Sequence, residues 1–375
     1  MIKNTIWGYM KIECLKEKLS TALLYAERIT GKNLTLPVLG CILLEVKNNS
    51  LTIRATNLDL GIEIHLPVKI EKEGVVAVPG QTLSQFINNL QGDKNIKLEV
   101  VEGNLVISSA MGSTTIKSMS SEDFPTIPTV PKEKSFELVA GEFVKGLKSV
   151  WYSSSVSGIK PELSSILIAS EEDTLVFAAT DSFRLAEKRI KTKKQNDFGQ
   201  ILIPFKNIPE IIRVLEGVEN VVKVSLSKNQ ISFSSDGIYL VSRVIDGIFP
   251  DYKQIIPKES KTEAIVLKQD LLHSLKLATI FSDKFNQIGV SVRPEQKVFE
   301  LKTRSNEVGE NVSRLIATIS GEDVDINFNY KYIIDCFQSI DVDTVCLQFN
   351  GTNRPVVIRG VSDKTFMYLV MPMNR

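Results

Sequence analysis

The chain has 375 residues, 43% hydrophobic and 24% charged, with 45 Lys and Arg against 44 Asp and Glu. This near-neutral balance excludes a globally basic nucleic-acid binder, so any such role must rest on local charge. No run approaches the roughly 20 apolar residues of a membrane helix, and no stretch reads as a signal peptide, so a cytoplasmic protein without a membrane partner is expected. Cys14, Cys41, Cys336 and Cys346 lack paired spacing and suggest neither a disulfide scaffold nor a metal site.

In chain order, residues 1–9 read as an N-terminal extension, an upstream start or a frayed end. Met10, Lys11 and Ile12 open a first strand, and Leu15, Leu19, Ala22, Leu23 and Ala26 form the apolar stripe of a first helix. The turn residues at 47–50 lead into an alternating run at 51–55, read as a strand. Leu83, Phe86, Ile87 and Leu90 mark a second helix, followed by strands at 105–108 and 113–118. Phe143, Leu147, Val150 and Trp151 mark a third, and Ile208, Ile211, Ile212 and Leu215 a fourth, before a strand at 222–226. Leu271, Leu275 and Ala278 begin the last third, with Ile333, Cys336, Phe337 and Ile340 as its second helix and a strand at 345–349. The stripes opening at Leu83, Ile208 and Ile333 share one register and lie 125 residues apart. Pro79, Pro204 and Asn329 precede them, and Phe124-Pro125 recurs as Phe249-Pro250. A constant long interval marks a repeat. The expected fold is α+β: three copies of one domain, at 10–131, 132–258 and 259–375, each two helices packed on antiparallel sheet.

Catalysis has little support. His65 falls in an alternating strand and His273 in a helix at 269–280, neither beside a nucleophile. No phosphate-binding loop, dinucleotide fingerprint or metal-ligand spacing occurs, so no catalytic residue, metal or cofactor is expected. Asp59, Asp181, Asp246 and Asp251 recur at loops, where turn chemistry accounts for them; an enzyme using Asp181 or Asp251 is the weaker alternative.

The segments Thr180-Asp-Ser-Phe-Arg-Leu-Ala186, Asp246-Gly-Ile-Phe-Pro-Asp-Tyr252 and Val370-Met-Pro-Met373 closely resemble signatures of the bacterial sliding clamp, the beta subunit of DNA polymerase III. Residues 35–40 resemble that family's early loop, and the likeness runs in order from Met10 to Arg375. The resemblance implies the DNA clamp fold: a non-catalytic homodimeric ring with helices lining a hole and sheets outside. It also implies double-stranded DNA through the hole, and as partners the polymerase III alpha subunit, the clamp-loader complex and other replication and repair proteins with a clamp-binding motif. A ring-shaped peptide-binding scaffold without a sliding role is the alternative.

A sliding tether needs scattered cations that hold phosphates without reading bases. Lys16, Lys18, Arg28, Lys145, Lys148, Lys206, Arg213, Lys276 and Lys331 lie on polar helix faces, interspersed with Glu17, Glu27, Glu142, Glu210 and Asp335. Asn33 and Gln81 match family DNA-contact positions where some members carry Arg, and Pro161 and Glu162 stand where some carry paired tyrosines. The family's peptide pocket carries over to Leu163, Thr180, Ser182, Phe183, Arg184, Leu185, Pro250, Gln254, Ile255 and Pro355, and to the tail residues Leu369, Val370, Met371, Pro372 and Met373. Arg184 is expected to set peptide orientation. Gln254 replaces an often basic residue, and the Met-Pro-Met tail suits adaptable peptide binding. For the dimer contact the matches are Thr114 and Ile116 on an edge strand, facing Ile280 and Phe281 after a helix.

Overall fold

The computed structural model describes residues 9–31, 35–92, 94–110, 112–131, 134–192 and 198–373. Six α-helices are present among them: α1 Lys16–Ile29, α2 Gly80–Asn89, α3 Ala140–Val150, α4 Ile208–Glu216, α5 Lys268–Ile280 and α6 Tyr330–Asp335. Each buries the face that its apolar spacing predicts: Leu19, Ala22, Leu23 and Ala26 in α1, Leu83 and Ile87 in α2, Ile208, Ile211, Ile212 and Leu215 in α4. Three details differ. Leu15 ends the first strand and is exposed rather than part of the α1 stripe. Trp151 lies beyond α3 in a 3-10 turn. The last stripe spans two elements, because α6 tightens into a 3-10 turn at Cys336–Ser339; Ile333, Cys336, Phe337 and Ile340 are nonetheless buried.

The chain forms two compact units, Met1–Gly141 with Lys206–Val244, and Glu142–Phe205 with Ile245–Arg375. The first unit holds a five-stranded sheet in the order Lys69–Lys72, Lys11–Leu15, Asn95–Val101, Asn104–Ser109, Gly112–Ile116. Its eight-stranded sheet runs Ser135–Val139, Val221–Leu226, Gln230–Ser235, Ile238–Arg243, Leu60–Pro67, Ser50–Thr56, Cys41–Lys47, Gly74–Pro79. The second unit has a nine-stranded sheet: Gln200–Pro204, Ser165–Glu171, Thr174–Thr180, Arg184–Lys191, Phe366–Val370, Val356–Gly360, Thr344–Phe349, Thr262–Leu267, Ala317–Gly321. Its four-stranded sheet runs Gly309–Leu315, Val298–Ser305, Gln287–Arg293, Val324–Asn329. Asn48 and Asn49 take φ of 52° and 59°, the left-handed turn that joins the strands at 41–47 and 50–56.

Within each unit one sheet crosses from one repeat to the next. Ile238–Arg243 pairs antiparallel with Leu60–Pro67, and Phe366–Val370 pairs antiparallel with Arg184–Lys191. The acceptor strands begin at residues 60 and 184, and the repeat's third counterpart begins at 309. The donors begin at 238 and 366, and their counterpart begins at 112. Among the described residues, both of these third counterparts, Gly112–Ile116 and Gly309–Leu315, are free sheet edges.

Candidate functional site

Several of the candidate pocket residues lie on the Arg184–Lys191 and Phe366–Val370 pairing, where Leu185 lies opposite Leu369 and Arg184 opposite Val370. Side chains alternate across a strand, so Leu185 and Leu369 share a face. They form one apolar cluster with Leu167, Ala178, Leu202, Phe249, Tyr252, Val357 and Met367, and Met371 packs on it half-buried. Phe249 and Tyr252 meet edge to face with centroids 5.9 Å apart, and the Tyr252 hydroxyl donates to Glu187 Oε2 at 2.6 Å. Pro250, Gln254 and Ile255 are exposed on the same segment, with Gln254 Nε2 donating to Asp251 Oδ2 at 2.7 Å. Leu163, Thr180, Pro355 and Val370 are buried. Phe183 is 59% and Ile255 49% exposed, leaving apolar surface beside the cluster.

Residues 371–373 continue past the last strand with two backbone ties. The Met371 N–H donates to the Phe183 carbonyl and the Met373 N–H to the Asn327 carbonyl, both at 2.8 Å. Pro372, which has no N–H to satisfy, sits between them.

The loop before Arg184 is fixed locally. Asp181 Oδ1 accepts from the Phe183 and Arg184 N–H groups at 2.9 and 3.0 Å, Thr180 Oγ1 donates to the Arg184 carbonyl at 2.6 Å, and Ser182 takes a φ of 77°. This Asx turn is the role expected of Asp181. The Arg184 side chain is only 12% exposed and points away from solvent. Its Nε donates to Asp181 Oδ2 at 2.9 Å, its Nη1 donates to Asp335 on α6, and its guanidinium lies 4.7 Å from the Tyr332 ring centroid. Burial works against the charge, yet Tyr368 and the Asp335 and Asp181 carboxylates outweigh it and hold the guanidinium pKa above its ordinary value. The expectation that Arg184 orients a peptide directly thus meets a guanidinium committed to two carboxylates and a ring. Asp335, counted from sequence only as a helix-face acid, is the missed partner. No local pattern marks a pair so far apart in the chain.

Of the candidate DNA-facing residues, Arg28, Gln81, Lys145, Lys148, Lys206, Arg213, Lys276 and Lys331 are exposed, Lys16 is half-buried and Asn33 lies outside the described residues. Several carry local partners: Lys145 with Asp341 at 2.8 Å, Lys206 with Asp59 at 2.6 Å, Arg213 with Glu210 at 3.2 Å, and Lys16 Nζ on the Leu90 carbonyl at 2.6 Å. Such exposed pairs are worth about 0–1 kcal/mol, but they dilute the local positive potential.

At the candidate dimer contact, Ile116 is 5% exposed and offers little side-chain surface beyond its share of the strand edge. Its strand ends at Ile116 rather than 118. What that edge presents is a hollow of about 270 Å3 lined by Pro79, Thr82, Phe86, Thr114, Thr115, Ile116 and Lys117. On the other side Ile280 is 60% exposed and Phe281 half-buried, and the missed Phe285 and Val312 are 58% and 54% exposed.

Models of the three domains of the DNA polymerase III beta subunit match the chain: the N-terminal domain at residues 10–128, the central domain at 137–251 and the C-terminal domain at 253–374. The chain belongs to the DNA polymerase III beta subunit family. The beta sliding clamp of Synechococcus elongatus is 26% identical over 97% of this chain and 99% of its own. That of Bacillus subtilis is 24% identical over 97% and 100%. The Thermotoga maritima beta subunit structure superposes with a TM-score of 0.93 at 26% identity, covering 98% of this chain and 100% of its own. A Pseudomonas aeruginosa sliding clamp solved with griselimycin bound has the same fold, with a TM-score of 0.92 at 23% identity over 98% and 100%. The beta-subunit resemblance read from the signature segments therefore holds through three domains between residues 10 and 374, and the role is that of a sliding clamp rather than a scaffold.

Proposed function

We propose that two copies of this chain close head to tail into a ring that encircles duplex DNA, and that partner proteins dock on it by short apolar peptides. The carrying observation is the pair of free edges. Two equivalent junctions are made inside the chain by strands that continue a sheet from repeat to repeat. The third equivalent pair, Gly112–Ile116 and Gly309–Leu315, lies among the described residues at the outer edges of two different sheets. Unpaired edges are templates for another chain, and a heterologous contact that closes gives a ring. Three repeats per chain, divided at 10–131, 132–258 and 259–375, make six per dimer.

Exposed helix cations supply sequence-independent phosphate attraction. The cluster under Leu185, Leu369 and Met371 receives peptides of the polymerase alpha subunit, the clamp loader and other clamp-binding proteins. Arg184 acts there through the loop at 181–183, holding it against α6, rather than by touching peptide. The assembly holds its partners and transforms nothing. The test is retention on DNA: the protein should stay on closed circular DNA and run off once it is linearised. Equal loss from both forms would refute encirclement and revive the scaffold reading.

A further inference from the structure

A second, polar cavity of about 510 Å3 adjoins the apolar cluster in the same unit, lined by Pro257, Lys258, Glu259, Ser260, Glu263, Gln348, Asn350, Val357 and Arg359. Its neutral side-chain donors are already committed. Ser260 Oγ and Gln348 Nε2 both donate to Glu263 Oε1 at 2.7 Å, and Asn350 Nδ2 donates to the Glu259 carbonyl. Arg359 is different. Its Nε is withdrawn from water and meets no acceptor among the described residues. Strand register explains why Glu263 does not serve. Glu263, Gln348 and Val357 form one cross-strand row, whereas Arg359 stands opposite Cys346 in the row two residues away. A guanidinium nitrogen out of water without an acceptor is unfavourable, and Arg359 and Lys258 put two cations in the cavity wall, of which Arg359 has this unmet nitrogen. Glu259 and Glu263 in the wall disfavour a dianion such as phosphate. A single carboxylate fits better.

The cavity shares Val357 with the apolar cluster, where Val357 pairs with Leu369. Ile256, which packs on the cluster, is followed directly by the cavity residue Pro257. A peptide seated over Leu369 therefore has its flank beside Arg359. We propose that this cavity receives the side-chain carboxylate of an Asp or Glu flanking the apolar anchor of a docked peptide, with Arg359 as the specificity residue. The proposal rests on the peptide-pocket reading above.

The test is fluorescence anisotropy on the full chain with C-terminally amidated peptides that carry two large apolar anchors and either Asp or Asn at each flanking position in turn. At one position the Asp peptide should bind about tenfold more tightly than its Asn twin, the scale of one charge-assisted hydrogen bond, and added salt should shrink that advantage. Arg359→Gln should erase the advantage and leave the Asn peptide's affinity unchanged, while Arg359→Lys should keep part of it. Equal binding of all Asp and Asn pairs by the parent, with the anchors still binding, overturns the carboxylate site and leaves the pocket standing. A preference that persists in Arg359→Gln also overturns it. If no anchored peptide binds the parent, the pocket reading itself has failed.

Discussion

Two residues show how local rules are overruled by what they touch. Gly146 sits in the middle of α3, where Gly normally costs about 1 kcal/mol against Ala. A Cβ there would come within 2.5 Å of the Phe177 ring, which already packs edge to face on Phe143 with centroids 5.4 Å apart. Gly146→Ala should therefore destabilise the protein, by about 1–3 kcal/mol for overpacking, and lower the denaturant midpoint; a raised midpoint would mean that the ring moves freely aside. Arg184 is the second case. Removing its side chain leaves the Asp181 and Asp335 carboxylates without their shared cation and loosens the loop carrying Phe183. Arg184→Ala should weaken peptide binding by about 1–3 kcal/mol, and Asp335→Asn, which removes one of Arg184's two carboxylate partners, should weaken it in the same direction. If Asp335→Asn binds peptide as the parent does while Arg184→Ala does not, Arg184 is a direct contact after all.

At the scale of elements, the tail and the helices separate by what holds them. Residues 371–373 lie beyond the strand Phe366–Val370, pinned by two backbone bonds, and Met371 packs on the apolar cluster. Deleting residues 371–375 should leave the oligomer and its retention on DNA intact but abolish peptide binding, since such interfaces depend on a few buried anchors. Sedimentation and peptide anisotropy on one sample would check both halves. Undiminished binding would place the peptide elsewhere. The helix cations are unequal for an electrostatic reason. Lys145 and Arg213 have carboxylates within 3.2 Å, whereas Arg28, Lys276 and Lys331 form no ion pair among the described residues. Exchanging Arg28, Lys276 and Lys331 for Glu should weaken DNA retention and flatten its salt dependence, each released phosphate contact changing the slope by about 0.9. The same exchange at Lys145 and Arg213 should do less. Equal retention at low salt in the first variant would remove those residues from the DNA-facing set.

For the whole molecule, the decisive question is whether the free edges find each other in a second copy. Phe281 is a poor probe, because its half-buried ring already packs near Gly309 at the start of one edge strand. Ile280 is 60% exposed and its replacement disturbs little of the parent fold. Ile280→Asp should put an unpaired charge into an apolar interface, at a cost of several kcal/mol, and analytical ultracentrifugation should then show monomers with unchanged circular dichroism. A variant as dimeric as the parent would mean that the contact uses another surface.

The sequence alone determined the repeat and the six helices, because each is written in short-range spacing. The stripes at Leu83, Ile208 and Ile333 are one helix face apiece, and the signature segments at 180–186, 246–252 and 370–373 each hold their residues side by side. Pairings across the chain were not legible. Arg184 meets Asp335 at a separation of 151 residues, and neither neighbourhood encodes the meeting. Ile116 looked like an interface residue on an edge strand, but strand alternation gives two faces, and only packing against Leu105 and the rest of its sheet decided which one is buried. Arg359 was unremarked for the same reason: its charge is ordinary, and only the register that sets it opposite Cys346 rather than Glu263 leaves its guanidinium nitrogen without an acceptor. Local periodicity decides what an element is; the register of one element on another, a sum of many weak non-local contacts, decides what its polar groups are left to do.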